Sequence, residues 1–364
     1  MKLQVTQENF ARALNSVAKV ANSRSTLPIL SNVLIKTVGN RLSVAATNLD
    51  IAITHYIGSK VETEGSITIP ARLTQDFVTN LPGGVVDLEL EENKLHITTD
   101  QYQSSINGVQ SEEFPVMPAI ENGKTWLLPA TELKKALQQV VIAASNDDAR
   151  PTLTGVYFHT FEGNLYAVAT DSYRLAEKQL SKAKTETSLL VPASALQDLL
   201  RILADYEDEV RITHDDQQIL FKAGDVELVA RLIEGSYPEY RKLIPRAFQT
   251  EARIKRSELM NITKVSSLFA RESAGSVTIK ANAKKGELSI RSIASQLGEN
   301  NSSASATVSN DGEITINSRY LLDGLHALGG EEVIFAFNGK LEPCVLKEAS
   351  DKPDYLHVIM PLKS

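Results

Sequence analysis

Near the start of the chain, apolar residues at Phe10, Leu14, Val17 and Ala21 return at helical spacing and predict a helix with one buried face. Leu73, Phe77 and Leu81 mark a second helix, following Pro70. The segments LSNVLIKTV, RLSVAATNLDIAITHYIG and VVDLELEENKLHITTD alternate or are rich in β-branched residues, and they break at Gly-Asn or Glu-Asn turns. They read as antiparallel strands. Two helices on one face of a strand-rich sheet define an α+β layer architecture.

The same pattern occurs three times. SITIPARLTQDFVTNLPGGVVDLEL begins at Ser66, SLLVPASALQDLLRILADYEDEVRIT at Ser188, and EITINSRYLLDGLHALGGEEVIFAF at Glu313. Pro115, Pro238 and Pro361 return about 123 residues apart, a third of the chain. Each unit opens on a short strand running into a helix: KLQVTQENFARALNSVAKV, TWLLPATELKKALQQVVIA and EARIKRSELMNITKVSSLF. Linker-like PVMPAIENGKT and RKLIPRAFQT place the boundaries near 120 and 249, giving domains 1–120, 121–248 and 249–364. The run LGENNSSASATVSNDGE from Leu297 has no pattern that decides whether it is ordered.

Composition narrows the class. With 364 residues, 42% hydrophobic and 23% charged, the chain can fill several soluble cores. MKLQVTQENF resembles neither a signal nor a transit peptide, no apolar run is long enough to span a membrane, and Cys344 is alone. A reducing cytoplasm and no membrane are the expectation. A net charge of −7 argues against nucleic acid only if charge is spread evenly. It is not: Arg12 and Lys19 lie off the apolar stripe of the first helix, Lys134 and Lys135 occupy the matching helix of repeat two, and Lys255, Arg256, Lys264 and Arg271 surround that of repeat three. Arg72 and Arg319 begin second helices, where repeat two has Ser194. A single exposed lysine usually serves solubility, but the repetition suits a surface following a phosphate backbone. Interleaved aromatics are absent, which favours duplex over single strands.

Catalytic signatures are missing. There is no phosphate-cradling glycine loop, no nucleophile elbow, and no histidine spacing suited to a metal. No cofactor, metal or catalytic residue is expected. Asp147-Asp148 and His214-Asp215-Asp216 read as solvated turns, while Cys344 and Trp126 read as packed core. A peptide scaffold that never encloses DNA and an enzyme working at repeat interfaces remain the rival readings.

SRSTLPILSNVLI at 23–35, ATDSYRLAE at 169–177, EGSYPEYRKLIP at 234–245 and VIMPL at 358–362, in this order within a threefold repeat, resemble the bacterial DNA polymerase III beta subunit family, the sliding clamps. The resemblance spans the chain. It implies a non-enzymatic processivity factor: three clamp domains per chain, a head-to-tail homodimeric ring around double-stranded DNA without sequence preference, and twelve helices lining the hole. Twelve helices roughly 10 Å across make a circle whose centreline is about 38 Å wide, enough for a duplex.

By resemblance, Arg24 and Arg72 match the family's basic DNA contacts, whereas Asp147, Pro151 and Thr152 occupy such positions without the polar or aromatic residues best known there. A partner-peptide pocket is implied at Leu153, Thr170, Tyr173, Arg174, Leu175, Pro238, Lys242, Leu243, Leu341 and Pro343, with Val358, Ile359, Met360, Pro361 and Leu362 of the tail. Arg174 and Lys242 are expected to orient the peptide's polar flank. Its implied ligands are the DNA polymerase III catalytic subunit, the clamp loader and other proteins with clamp-binding motifs. Ser172, Tyr173 and Ala274 stand where some relatives have other residues. Ser104 and Ile106 should meet the region of Leu268 and Phe269 at the dimer interface.

Overall fold

The first expected helix, α1 (Gln7–Ala21), follows strand β1 (Lys2–Thr6) and buries Phe10, Leu14, Val17 and Ala21 in the computed structural model, which describes residues 1–21, 27–183, 185–296 and 298–362. Its outer face carries Arg12, paired with Glu8 one turn earlier at 2.8 Å, and exposed Lys19. Repeat one continues through β2 (Asn32–Val38), β3 (Arg41–Thr47), β4 (Ile51–Gly58), β5 (Lys60–Thr63) and β6 (Ser66–Pro70). Helix α2 (Ala71–Thr79) leads into β7 (Val85–Glu91), β8 (Lys94–Thr98) and β9 (Gln103–Asn107).

The second helix exists, but its inward stripe is Ala71, Thr74 and Val78, while Leu73 is 57% exposed and Phe77 half-buried. Thr74 tolerates the interior because its hydroxyl donates to the Pro70 carbonyl at 2.8 Å. A polar residue able to satisfy itself thus takes a core position that sequence pattern alone awards to leucine.

Repeat two runs through β10 (Lys124–Pro129), α3 (Ala130–Val140), β11 (Gly155–Phe161), β12 (Asn164–Thr170), β13 (Arg174–Lys182) and β14 (Ser188–Pro192). It closes with α4 (Ala193–Ile202), β15 (Glu209–His214), β16 (Gln218–Ala223) and β17 (Val226–Arg231). Repeat three has β18 (Thr250–Lys255), α5 (Arg256–Phe269), β19 (Ser276–Asn282), β20 (Glu287–Ala294), β21 (Gly298–Val308) and β22 (Gly312–Asn317). Helix α6 (Ser318–Ala327), β23 (Glu332–Phe337), β24 (Cys344–Glu348) and β25 (Tyr355–Ile359) complete it. The polar run after Leu297 is therefore a strand, β21, paired with β20 over Gly298–Ser305 and with β18 over Ala306–Val308. None of its residues is buried, so no apolar alternation announces it; backbone pairing holds it, with Glu299 ion-paired to Arg291 of β20 at 2.7 Å and Asn300 donating to the Ser266 hydroxyl of α5 at 2.9 Å. Trp126 is half-buried at the edge of β10, set edge-on to His214 at 5.2 Å rather than enclosed in core.

The chain packs as two compact units, Met1–Glu132 with Ala195–Leu232 and Leu133–Ser194 with Ile233–Ser364. The first holds a five-stranded sheet, β5-β1-β7-β8-β9, and an eight-stranded sheet, β10-β15-β16-β17-β4-β3-β2-β6. In the latter, β17 of repeat two pairs antiparallel with β4 of repeat one, Leu228 opposite Ile53. The second unit holds a twelve-stranded sheet, β14-β11-β12-β13-β25-β24-β23-β18-β21-β20-β19-β22. Here β13 of repeat two pairs with β25 of repeat three, Leu175 opposite Val358. The middle repeat lends one sheet to each unit, because fusing edges satisfies backbone groups that a free-standing repeat would expose. Sequence repeat and packing unit consequently differ.

Candidate functional site

The predicted peptide site lies within the second unit, where the β12–β13 turn stands beside the tail. Asp171 Oδ1 accepts the amides of Tyr173 and Arg174, each at 2.9 Å, and the Thr170 hydroxyl donates to the Arg174 carbonyl at 2.6 Å. This network holds Ser172 at φ 78, a left-handed conformation uncommon outside glycine. The turn thereby lifts Tyr173 into solvent, 58% exposed. Across the joint, the Met360 amide donates to the Tyr173 carbonyl at 2.9 Å and the Leu362 amide to Thr315 at 2.8 Å, so the tail is pinned rather than frayed.

Leu243 and Leu341 are 51% and 77% exposed, and Pro238 is exposed. Tyr173 is exposed as well, and Pro343, Met360, Pro361 and Leu362 are half-buried, so each of these apolar side chains keeps some contact with solvent. Leu153, Thr170, Leu175, Val358 and Ile359 are all buried. Leu175 and Val358 belong to a core cluster with Val168, Tyr240 and Val345, which makes them floor rather than contact surface. Arg174 is not free to orient a ligand: its guanidinium meets Asp171 at 3.1 Å and Asp323 at 2.5 Å and lies 4.6 Å over the Tyr320 ring. It is a staple between β13 and α6. Lys242 is exposed and ion-paired with Glu239. Such exposed pairs are weak, so its charge remains exchangeable.

Behind the rim runs a buried chain that sequence inspection missed. His159 Nε2 lies 2.7 Å from the Tyr240 hydroxyl, that hydroxyl donates to Glu177 in a short bond, and Arg241 Nη2 stands 2.8 Å from the same carboxylate. Arg241 also covers Phe161 at 4.0 Å and Tyr166 at 4.4 Å. Burial raises the Glu177 carboxyl and lowers the His159 imidazole to about 4. The chain clamps the short helical turn Tyr240–Leu243 onto β11 and β13, fixing where Leu243 projects. Its signal in the sequence is the mixture of aromatics and charges in YPEYRK, which periodicity does not detect.

The other predicted residues divide. Arg72 is exposed in the first turn of α2, whereas Arg24 lies outside the described residues. Asp147 is exposed and bound within its loop, accepting the Ala149 amide at 3.1 Å and facing Arg150 at 3.0 Å. Exposed Pro151 opens a helical turn in which Thr152 is half-buried and Leu153 is turned inward. Lys264, Arg271 and Arg319 are exposed, but Arg256 donates to the carbonyls of Leu325 and Leu328 at 3.2 and 2.9 Å and so caps α6. Ser104 is half-buried and Ile106 buried on β9, an edge strand; Leu268 is 52% exposed and Phe269 half-buried at the end of α5. Among the described residues no three His, Cys, Asp or Glu gather to hold a metal. The Cys344 thiol is buried, which pushes it up to about 12, and Asp215 caps a turn by accepting the Gln217 and Gln218 amides. No helix among the described residues is long and apolar enough to cross a membrane.

The sequence matches the DNA polymerase III beta subunit N-terminal domain over residues 1–118, the central domain over 127–239 and the C-terminal domain over 241–363. The chain belongs to the DNA polymerase III beta subunit family. It is 31% identical to the beta sliding clamp of Bacillus subtilis over all of both chains. The crystal structure of the DNA polymerase sliding clamp from Bacillus subtilis is similar with a TM-score of 0.95 and 28% identity, covering 100% of this chain and 99% of that one. A DnaN sliding clamp from Bartonella birtlesii bound to griselimycin matches equally, with a TM-score of 0.95 and 28% identity over all of both chains.

Proposed function

We propose that this chain, a DNA sliding clamp of replication, closes head to tail with a second copy into a ring around duplex DNA and tethers polymerases to it. The repeated sheet joint carries this reading. In both internal joints the last strand of one repeat lies beside the fourth strand of the repeat before it: β17 beside β4, with Leu228 opposite Ile53, and β25 beside β13, with His357 opposite Ala176. One last strand and one fourth strand remain. These are β9, the edge of its sheet, and Gly298–Ser305 of β21, which pairs with β20 on one side. The same register sets Ser104 opposite the partner's Asn300 and Ile106 opposite the partner's Gly298.

Helices support the seam. Leu73 on α2 is 57% exposed, whereas its counterpart on α4, Ala195, is fully buried. On α5, Val265 and Leu268 are 47% and 52% exposed. Two copies would cover these side chains together with Phe269.

Arg72, Lys19, Lys264 and Arg319, with Arg24, supply basic positions for phosphates, which fix alignment without reading sequence. With Asp147, Pro151 and Thr152, none of them basic, repeat two is the weaker contributor. The surface around Tyr173, Leu243, Leu341 and the tail receives extended peptides from the polymerase catalytic subunit, the clamp loader and other clients, whose anchors concentrate affinity. Domains 1–120, 121–248 and 249–364 each contribute two helices to the ring. The protein performs no chemistry of its own in the cytoplasm; it raises the effective concentration of a tethered enzyme.

Solution mass and DNA topology test this reading together. The expected result is a dimer whose loaded form persists on nicked circular DNA and leaves the same DNA once it is linearised. A stable monomer at micromolar concentration, or equal retention on both forms, would overturn it.

A further inference from the structure

The first unit contains a second copy of the groove's backbone. Asn48 Oδ1 accepts the amides of Asp50 and Ile51 at 3.1 and 2.7 Å, as Asp171 does for Tyr173 and Arg174. The Thr47 hydroxyl donates to the Ile51 carbonyl at 3.0 Å, as Thr170 does to Arg174. Leu49 has φ 79 where Ser172 has φ 78. The Arg231 amide donates to the Asp50 carbonyl at 2.9 Å, the bond that joins Met360 to Tyr173. A cavity of about 180 Å³ opens there, lined by Thr47, Leu49, Ile51, Ala52, Pro115, Val116, Val229 and charged Asp50 and Arg231.

Its surface differs from the first groove in a directed way. Asp50 stands in the place of Tyr173 and Arg231 in the place of Met360, so two apolar rim positions have become opposite charges. No ion pair joins Asp50 or Arg231 to another of the described residues. Leu49 and Val116 are 49% and 95% exposed above a buried floor of Ile51, Ala52 and Val229. The volume is well below the roughly 300 Å³ at which small-molecule pockets begin, and suits a single side chain.

We infer that this cavity is a second docking site, for an extended peptide carrying one aliphatic anchor between a basic and an acidic residue. The anchor enters the cavity, the basic residue faces Asp50 and the acidic one faces Arg231. One anchor gives weak binding, with a dissociation constant of roughly 0.1 to 1 mM. A client already held elsewhere on the ring would still occupy it through effective concentration. The class of occupant rests on the peptide reading of the first groove.

Methyl NMR of the full-length chain distinguishes the two sites. The probes are the acetylated pentapeptides Lys-Ala-Leu-Ala-Glu and Glu-Ala-Leu-Ala-Lys, and an Ala-Ala-Leu-Ala-Ala control. One charged polarity is expected to shift the methyls of Leu49, Ala52, Val116 and Val229 with an affinity at least about fivefold above the control. Val116→Asp, at an exposed position, should abolish that response, and Asp50→Ala with Arg231→Ala should reduce it to the control's level. The inference is overturned if neither polarity shifts those methyls below about 5 mM, or if the response survives the double substitution. Failure of a polymerase tail peptide to shift Leu175, Val358 and Leu341 would instead count against the first groove.

Discussion

Three buried histidines make this protein sensitive to mild acid. His55 lies with Nδ1 2.9 Å from the Ser16 hydroxyl, His159 sits on Tyr240, and His357 is fully buried with Nε2 lacking a hydrogen-bond partner. Burial lowers the first two to about 4 and the last to about 3; nearby arginines add to the effect, while Asp225 opposes it at His55. The unfolded chain takes up these protons near the ordinary histidine value of about 6.5, while the folded chain resists until lower pH. Stability is therefore full above about 6.5 and lost as pH falls towards 4, by up to about 3 kcal/mol per histidine. Denaturant titrations between pH 7 and pH 4.5 should show His55→Gln losing stability less steeply than the parent, by close to one proton. Parallel slopes would mean that the folded protein takes up the His55 proton over the same pH range as the unfolded chain.

At the scale of elements, the exposed apolar positions of α2 and α5 belong to the proposed seam rather than to either fold. Leu73→Glu or Leu268→Glu should weaken dimerisation about 100-fold, since each buries a charge against an apolar partner, yet leave the protomer's secondary structure intact. Sedimentation against concentration reads the shift; a parental dimer constant in both variants would move the seam elsewhere. Leu73 also shows where sequence pattern stops. Helices and most strands were legible because their burial is periodic, and the threefold repeat because its landmarks are spaced evenly. Thr74 displacing Leu73 from the core was not, since it depends on one side-chain bond to Pro70. Strand β21 escaped because its serines, asparagines and alanines show no apolar alternation, and what holds it is backbone pairing with single side-chain links such as Asn300 to Ser266 and Glu299 to Arg291. At the groove, the tail and the β12–β13 turn could be named from sequence, but Arg174 as a staple and Leu175 as floor required knowing that Asp323 and Val358 lie across the joint.

The whole molecule must combine permanence with mobility, and its charge shows how the proposed ring can do both. A chain of net charge −7 is not held on DNA by bulk attraction, and the basic residues proposed to meet phosphates, Lys19, Arg72, Lys264 and Arg319, stand exposed on helices. Each phosphate contact releases counterions and contributes about 0.9 to the salt slope of direct binding, so a few contacts give weak, salt-sensitive affinity. Topological retention lacks that dependence: a closed ring on circular DNA has no end to leave by, whatever the ionic strength. Raising salt from about 50 to 200 mM should therefore lower equilibrium binding to short duplexes by at least about tenfold while loaded rings stay on nicked circles. Arg72→Ala should reduce the short-duplex salt slope by about 0.9 for each Arg72 that touches a phosphate, equally on all sequences, and leave retention on circles unchanged. Loss of loaded rings from circles in step with short-duplex affinity would show that charge, not closure, holds the protein on DNA.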